Sequence, residues 1–380
     1  MKSKQIRDLT FYLHRYIGLI VGLVLIIIGL TGSLLVFEKE INQFLLSQQF
    51  GQVIPQEQRI KVETVLETVK TAYASQPDLK LLGINTLGDA HTPYRVFLQS
   101  TEKKRTEVFV NPYTGAIMGA RLWDNTLIGL TLKLHYQLLA GKIGEIIVGI
   151  IGFLFFILSI TGILLWSGWR KLISGFKIKC NTHIKSVNFY IHKVAGIVTG
   201  VFLTAIAFTG FCWNFYDQTK PLIYAATLTP IPPDPVSQVI VGKLPRGLTE
   251  ILQKADAALP GAVTTYIRLP QTPEGVFRIG KKLPQETNEY GYSQVYLDQY
   301  TGEVVQLKNG LEASRADQVL NSFAPVHYGT FWGLPTRILY VFVGLAPLVL
   351  FITGFVMWWY RYKGKRRQQT MEMVEPVSKS

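Results

Sequence analysis

The octapeptide FYLHRYIG at residues 11–18 returns with few changes as FYIHKVAG at residues 189–196. Both copies hold an aromatic pair, a histidine, a basic residue directly after the histidine, and a glycine four positions after it. Each copy opens onto a stretch of at least 20 residues without a charged side chain, Tyr16–Phe37 and Val194–Trp213. A motif repeated in this way predicts a chain built from two related halves.

Two further stretches, Ile146–Trp166 and Ile338–Tyr360, also lack charged side chains. About 20 apolar residues in a helix cross the roughly 30 Å hydrocarbon core of a bilayer. The whole chain is 48% hydrophobic and only 17% charged, whereas a soluble domain has about 25% charged residues. These observations predict an integral membrane α-helical protein with four transmembrane helices.

The basic residues indicate how these helices are oriented. They concentrate in residues 1–16, 167–193 and 361–380, and the middle segment contains no acidic residue. Because short cytoplasmic segments are enriched in Lys and Arg, we expect these three segments and both termini in the cytoplasm. The net charge of +14 then reflects topology rather than nucleic-acid binding, since no nucleic-acid-binding motif accompanies it.

The repeat continues beyond the first octapeptide. Thr31-Gly32 and Thr209-Gly210 share the offset of 178 that separates His14 from His192. In the outer segments, FVNPYTGAI (109–117) recurs as YLDQYTGEV (296–304) at an offset of 187. At an offset of 192, LHYQLLAG (134–141) recurs as VHYGTFWG (326–333) and Thr161-Gly162 recurs as Thr353-Gly354. The unit predicted to occur twice is therefore a transmembrane hairpin with an outer domain inside it.

The outer segments 38–125 and 214–325 each have the pattern of an α+β domain. Apolar residues at helical spacing in 62–74 and 248–258 are followed by alternating strand patterns. The shared Tyr-Thr-Gly predicts a turn in which Gly115 or Gly302 has a positive φ. The predicted organisation is as follows: 1–37 N-terminus and first span; 38–125 first outer domain; 126–166 interfacial segment and second span; 167–193 cytoplasmic loop; 194–213 third span; 214–325 second outer domain; 326–360 histidine segment and fourth span; 361–380 cytoplasmic tail.

Four of the six histidines belong to matched pairs, His14 with His192 and His135 with His327, whereas His91 and His183 have no counterpart. Because both halves start on the same side of the membrane, an approximate two-fold axis along the membrane normal would relate them. Each pair would then face the centre of the bundle and could hold a six-coordinate haem b between two imidazoles. Histidines that merely extend to the lipid interface are the alternative.

Other metal sites fit the pattern less well. Each pair supplies only two histidines, and no carboxylate or cysteine recurs beside them to complete a zinc or copper site. The two cysteines, Cys180 and Cys212, fall in different regions of the predicted topology.

Arg15 and Lys193, directly after the first histidine pair, could bind haem propionates or anchor the helices at the cytoplasmic surface. The recurring glycines could leave room for a porphyrin or let helices pack closely: Gly18 and Gly196, Gly32 and Gly210, Gly152 and Gly344, Gly162 and Gly354.

The second histidine pair lies far from the Thr-Gly that follows it. From His135 to Thr161, and from His327 to Thr353, is 26 residues, about 39 Å of continuous helix. Either these histidines stand above the hydrocarbon, or the chain bends near Gly141 and near Gly333.

The chain resembles the PepSY-associated transmembrane family, also called iron-regulated membrane proteins. The resemblance lies in the order of four motifs: LHRYIGLIVG, HYQLLAGKIGEIIVGIIG, FYIHKVAGIVTG and HYGTFWGLPTRILYVFVGL. The resemblance covers roughly residues 8–362 and implies four spans with two PepSY-like periplasmic domains in a bacterial inner membrane. It further implies b-type haem, two per chain, bound by His14, His192, His135 and His327, and reduction of a periplasmic ferric siderophore.

On this interpretation a cytoplasmic or quinol donor supplies the electrons, and no dinucleotide-binding fingerprint is present in the chain. Aromatic residues on the outer side are candidate contacts to the ferric siderophore or other ferric chelate: Trp123, Tyr136, Tyr328 and Trp332. Two other functions remain open. One is a non-enzymatic PepSY sensor or binding module; the other is a siderophore transporter, which the absence of ionisable residues within the spans disfavours.

Overall fold

A computed structural model describes residues 2–179 and 182–374, with side chains described from residue 4 to residue 364. Cys180 and residues 375–380 of the tail lie outside the described residues. The α-helices are α1 (Lys2–Leu35), α2 (Glu38–Phe50), α3 (Val62–Ala72), α4 (Leu127–Gln137), α5 (Gly141–Leu164), α6 (Leu172–Phe176), α7 (Ile184–Asn214), α8 (Tyr216–Ala226), α9 (Leu248–Ala258), α10 (Arg315–Tyr328) and α11 (Leu334–Val374).

Four of these helices are long and apolar enough to cross a membrane. The candidate spans are Lys4–Leu35, Gly141–Trp169, Ile184–Asn214 and Leu334–Gly364. They contain three of the four stretches that lack charged side chains and all but the last two residues of the first stretch, so the prediction of four apolar membrane helices is confirmed.

The chain divides into two compact units, which we describe separately. The helical unit comprises residues 1–38, 131–220 and 323–380, and the sheet unit comprises residues 39–130 and 221–322. In the helical unit α1 packs against α5 and α11, and α7 packs against the same two helices. The helices α1 and α7 therefore occupy diagonal positions in the bundle, as do α5 and α11.

Small residues bring α1 and α11 close together. A Cβ at Gly29 would collide with the carbonyl oxygen of Gly344, and the hydroxyl of Ser33 donates a hydrogen bond to the carbonyl of Val341 at 2.9 Å. Gly344, one of the recurring glycines, thus serves close helix packing, as small residues do between membrane helices. Its counterpart Gly152 similarly lies against the backbone of Phe211.

The chain bends before α5 and before α11. The residues Leu138, Leu139 and Gly141 have φ values of +50°, +58° and +58°, which break the helix between α4 and α5. Gly329 and Gly333, each with a φ of +69°, break the chain between α10 and α11. The structure therefore follows the bent alternative, because α4 and α10 end before the spans begin.

The sheet unit holds one antiparallel sheet of eight strands: β1 (Lys80–Asn85), β2 (Tyr94–Gln99), β3 (Arg105–Val110), β4 (Ile117–Leu122), β5 (Val263–Arg268), β6 (Val276–Lys282), β7 (Ser293–Asp298) and β8 (Val304–Lys308). Their order is β4-β3-β2-β1-β5-β6-β7-β8. The two outer segments, which the sequence predicts as two domains, each contribute four strands, and β1 pairs with β5 to join them.

Helices α3 and α9 contribute to the hydrophobic core on one face of this sheet. Val65 and Val69 of α3 and Ile251 of α9 are fully buried among inward-facing strand residues such as Val96 and Val295. The Tyr-Thr-Gly turns end β3 and β7 as predicted, because Gly115 has a φ of +75° and Gly302 a φ of +69°.

Candidate cofactor centre

The four matched histidines form two facing pairs in the helical unit. His14 on α1 and His192 on α7 have ring centroids 6.1 Å apart and ring planes at 87°. His135 on α4 and His327 on α10 have centroids 6.2 Å apart and planes at 81°. We call these the His14 pair and the His135 pair. The sequence prediction that each residue meets its counterpart agrees with this geometry.

Within the His14 pair, each imidazole is held by a hydrogen-bonding arrangement on a neighbouring helix. The Nδ1 atom of His14 lies 3.1 Å from the carbonyl oxygen of Leu158 and 3.2 Å from the hydroxyl of Thr161. The Nδ1 atom of His192 lies 3.1 Å from the carbonyl oxygen of Leu350 and 3.0 Å from the hydroxyl of Thr353.

The His135 pair repeats this arrangement with the other two spans. The Nδ1 atom of His135 lies 2.9 Å from the carbonyl oxygen of Ile28 and 3.1 Å from the hydroxyl of Thr31. The Nδ1 atom of His327 lies 2.8 Å from the hydroxyl of Thr209. The bends after α4 and α10 therefore allow both histidines to pack against span helices.

These contacts fix the tautomer of three of the four rings. A backbone carbonyl can only accept a hydrogen bond, so Nδ1 of His14, His135 and His192 carries the proton and Nε2 keeps its lone pair. Among the described residues, no side chain or backbone group forms a hydrogen bond with Nε2 of any of the four histidines. Histidines that ligate metals have this arrangement, in which the nitrogen opposite the ligating one donates to a carbonyl.

The glycine of each Thr-Gly makes room for the ring that its threonine binds. A Cβ at Gly162 would lie 3.0 Å from Cε1 of His14, and one at Gly32 would lie 3.0 Å from Cε1 of His135. A Cβ at Gly210 would lie 3.2 Å from Cε1 of His327, and one at Gly354 would lie 3.3 Å from Cε1 of His192. These four glycines therefore accommodate an imidazole, a role that the sequence analysis did not assign to them.

A cavity of about 950 Å³ adjoins the His14 pair, at the upper end of the roughly 300–1,000 Å³ found for small-molecule sites. Gly18 and Gly196 line it, and a Cβ at either position would make only ordinary contacts with a leucine. Its lining is otherwise mainly apolar and aromatic, with three serines, the acidic Asp8 and five basic side chains: Arg7, Arg15, Lys185, Lys193 and Arg361.

Three polar atoms in this lining are buried without a hydrogen-bond partner among the described residues. They are Nε of Arg15, Oγ of Ser159 and Nε1 of Trp166. Buried polar groups are nearly always satisfied, and one that is not calls for an absent water or ligand. Three such atoms around one cavity indicate that it is built for a molecule with hydrogen-bonding groups.

The two predicted propionate ligands differ in their surroundings. The guanidinium of Arg15 lies 4.6 Å from the ring centroid of Tyr16 and 5.1 Å from that of Tyr12. The ammonium of Lys193 instead donates to the carbonyl of Ser174 at 3.1 Å. Arg15 is therefore the better placed of the two to bind an anionic group in the cavity.

The spacing of both pairs suits a metal ion held between them. A bond from a metal to an imidazole nitrogen is about 2.0 Å long, and the ring centroid lies roughly 1 Å further away, so an ion between two imidazoles places their centroids about 6 Å apart. Among the described residues, no group of three or more His, Cys, Asp or Glu side chains converges. The remaining ligands would have to come from a cofactor, as the four nitrogens of a porphyrin do.

The remaining candidate residues belong to two different units of the chain. Tyr136, Tyr328 and Trp332 belong to the helical unit, where Trp332 is 78% exposed and the ring centroid of Tyr328 lies 5.5 Å from that of Trp213, with the ring planes at 43°. Trp123 belongs to the sheet unit, where the guanidinium of Arg105 lies 4.4 Å from its ring.

The two unmatched histidines play local roles. Nδ1 of His91 lies 3.2 Å from the carbonyl oxygen of Val53. His183 caps α7 by accepting a hydrogen bond from the backbone N–H of Lys185 at 3.3 Å.

Two features of the centre escaped the sequence analysis. The repeats include the threonines but do not identify them as partners of the histidines. The equal number of Thr-Gly pairs and matched histidines, four of each, is the signal that could have indicated this partnership. Ser159 and Trp213 lack an identical counterpart at the matching offset, where Phe351 and Leu35 stand. A search for repeats therefore could not find them, yet the ring of Trp213 lies 4.9 Å from that of His327.

The fold and the centre define a class of polytopic membrane protein that has a helical unit with two half-buried histidine pairs and a separate sheet-forming unit. The chain matches the family described as the PepSY-associated TM region over residues 11–361, and it belongs to that family. No curated protein matches the chain.

Proposed function

We propose that the chain is a haem-containing membrane oxidoreductase that passes electrons across the bilayer and reduces a ferric chelate, such as a ferric siderophore, on its outer side. The observation that carries this proposal is the distance between the two imidazole rings within each pair, 6.1 Å in the His14 pair and 6.2 Å in the His135 pair. Two separate pairs with the spacing of axial ligands suit two cofactors in series.

The residues of the centre support b-type haem as the cofactor. Bound haem would supply one-electron redox chemistry at its iron. His14 and His192 would hold one haem and His135 and His327 the second, with every Nε2 available as a ligand. Arg15 would bind a propionate, because a guanidinium forms strong charge-assisted hydrogen bonds with carboxylates.

The chain's own residues determine how well such a cofactor is held. Each Nδ1 hydrogen bond orients its ring, and each Thr-Gly leaves the ring the space that it occupies. The apolar helices around the pairs exclude water, which affects the reduction potential of a buried haem. Electrons would come from a cytoplasmic or quinol donor, because the sequence contains no dinucleotide-binding motif.

Reduction of a ferric chelate would release iron because siderophore oxygen ligands are hard and prefer Fe(III) to Fe(II). This step needs an electron donor, the chelate and the two haems, and it transfers one electron to each ferric ion.

The test is anaerobic spectroscopy of the purified protein after expression with added haem. We expect a b-type spectrum that dithionite reduces, with one haem for each histidine pair. Addition of ferric citrate or a ferric hydroxamate should then reoxidise the haems. Protein that remains colourless would refute the proposal and favour a non-enzymatic PepSY binding module; haem that no ferric chelate reoxidises would refute the assigned acceptor.

A further inference from the structure

The second face of the sheet, opposite α3 and α9, carries five arginines: Arg95, Arg105, Arg121, Arg268 and Arg278. We call it the arginine face. The strand register places a single row across it, from Arg121 through Glu107, Phe97 and Gly83 to Arg268 and Arg278. The row crosses the β1–β5 junction, so both halves of the chain contribute to it.

Positive charge on this face exceeds negative charge. The carboxylate of Glu107 is fully buried and lies 2.9 Å from Arg121, 3.4 Å from Arg105 and 3.5 Å from Arg95. The carboxylate of Asp124 also interacts electrostatically with the guanidinium of Arg105. Within the ranges that the structure describes, no carboxylate pairs with Arg268 or Arg278. The positive excess is therefore greatest on the β5–β6 side.

Aromatic rings hold these guanidiniums in place. The guanidinium carbons of Arg95, Arg105 and Arg268 lie 5.2, 5.4 and 5.5 Å from the centroid of the Phe97 ring. Arg278 lies 5.6 Å from the ring of Tyr266, and its Nε donates to the side chain of Gln294 at 2.9 Å. Stacked guanidiniums keep their N–H donors available at the edges.

Two further observations indicate that Glu107 does not neutralise all of these arginines. The Nε atom of Arg105 is buried and has no hydrogen-bond partner among the described residues. Although Arg268 is an exposed residue, partial desolvation of its guanidinium lowers its pKa, and the neighbouring charges of Arg278 and Arg95 lower the pKa further. Like charges held together in this way repel one another unless an anion neutralises them.

We propose that Arg95, Arg105, Arg268 and Arg278 form a binding site for a multivalent anion. On the proposed function, on which this step rests, the anion is a ferric chelate whose iron is bound by carboxylate or catecholate oxygens. Arginine suits such a ligand because its planar guanidinium donates two parallel hydrogen bonds to a carboxylate. The exposed Arg268 and Arg278 make the first contacts, and Arg95 and Arg105 lie deeper beside Phe97.

The site is tested with the gallium(III)–citrate complex, which resembles the ferric complex but is not reduced. It is titrated into the purified full-length protein by isothermal calorimetry at low salt. We expect saturable binding that the double variant Arg268→Gln/Arg278→Gln weakens at least tenfold. Lys243→Gln, which removes a positive charge from an exposed loop position of the same unit, should change the affinity by less than twofold.

Equal affinities for the double variant and the wild type would overturn the proposal, as would the absence of saturable binding. Binding to anionic-lipid nanodiscs without binding to gallium citrate would also overturn it, in favour of a lipid headgroup. Because the gallium complex accepts no electron, a failure to bind it does not affect the assignment of haem to the histidine pairs. Conversely, colourless protein that binds gallium citrate through Arg268 and Arg278 would support the anion site and refute the redox function.

Discussion

In the first half of the chain His14 meets Thr161 and His135 meets Thr31, and in the second half His192 meets Thr353 and His327 meets Thr209. The two halves differ at neighbouring positions. Ser159 stands where the second half has Phe351, and Trp213 stands where the first half has Leu35.

This comparison separates two kinds of residue. A ligand held between two histidines needs one imidazole, one orienting hydroxyl and one glycine from each side, so both halves must keep these residues. Ser159 and Trp213 make the surroundings of each pair unequal, so that the two faces of a bound cofactor would meet different polarity. On the proposed function, the residues that agree between the halves would hold the cofactor, and the residues that differ would adjust its surroundings.

The largest expected effect comes from removing one histidine. His192→Ala should eliminate the haem of the His14 pair and leave the other, and His135→Ala should do the reverse, because a single imidazole cannot provide both axial ligands. Haem content per protein and the reduced spectrum of each variant measure this. If neither substitution changes the spectrum, the ligand assignment is wrong.

A smaller loss is expected when the space beside a ring is filled. In Gly162→Ala the new Cβ lies 3.0 Å from Cε1 of His14, and in Gly354→Ala it lies 3.3 Å from Cε1 of His192. Both contacts are tight, so both variants should bind less haem, with Gly162→Ala the more affected. Haem content is measured as before.

Gly364→Ala is the matched control, because a Cβ there meets no atom within 4 Å. Haem loss in this control equal to that in Gly162→Ala would show that the two ring contacts are unimportant.

Removing one orienting hydroxyl should have a more modest effect. Thr161→Val deletes the hydroxyl 3.2 Å from Nδ1 of His14 but keeps the bond to the Leu158 carbonyl. Loss of a group that orients a metal ligand lowers affinity by about 10–100-fold, and we expect the lower end here. Haem transfer to apomyoglobin measures the affinity.

Thr199→Val provides the comparison, since the Thr199 hydroxyl bonds only the carbonyl of Ala195 within the described part of the chain. Identical haem affinities in Thr161→Val and Thr199→Val would argue against an orienting role for Thr161.

The smallest effect concerns the two Tyr-Thr-Gly turns. Asn111 accepts hydrogen bonds from the backbone N–H groups of Tyr113 and Thr114. Its counterpart Asp298 accepts the equivalent bonds from Tyr300 and Thr301 and, through its second oxygen, one from the N–H of Gln238 at 2.6 Å. Burial raises the pKa of Asp298, but these hydrogen bonds outweigh burial, so the pKa is lowered from 3.8.

Asp298→Asn should therefore destabilise the protein by about 1–2 kcal/mol at neutral pH, since the bond from Gln238 loses its charged acceptor. A lowered folded-state pKa means that the carboxylate stabilises the fold above about pH 4 and loses this contribution as the pH falls through the folded-state pKa. Thermal unfolding at pH 7 and at about pH 3 should show the difference between variant and wild type shrinking in acid. A difference that grows in acid would contradict the assignment.

The membrane-spanning helices and the turns of the strands could be predicted from local sequence patterns, whereas the contacts of the four histidines in the candidate cofactor centre could not. Charge-free stretches indicate spans because a bilayer excludes charges, and Gly115 and Gly302 indicate turns because their backbone needs a positive φ. His14 and Thr161, however, are 147 residues apart. No periodicity links such residues, and only helix packing brings them together.

The sequence by itself determined four apolar helices, four matched histidines and the turns of the strands, since each depends on neighbouring residues and their solvent. The tertiary structure decided which Thr-Gly meets which histidine, where the cavity lies and that β1 joins β5 in one sheet. It also gathered five arginines that the sequence scatters between residues 95 and 278. These are contacts between distant segments, and their energies depend on how the segments pack together.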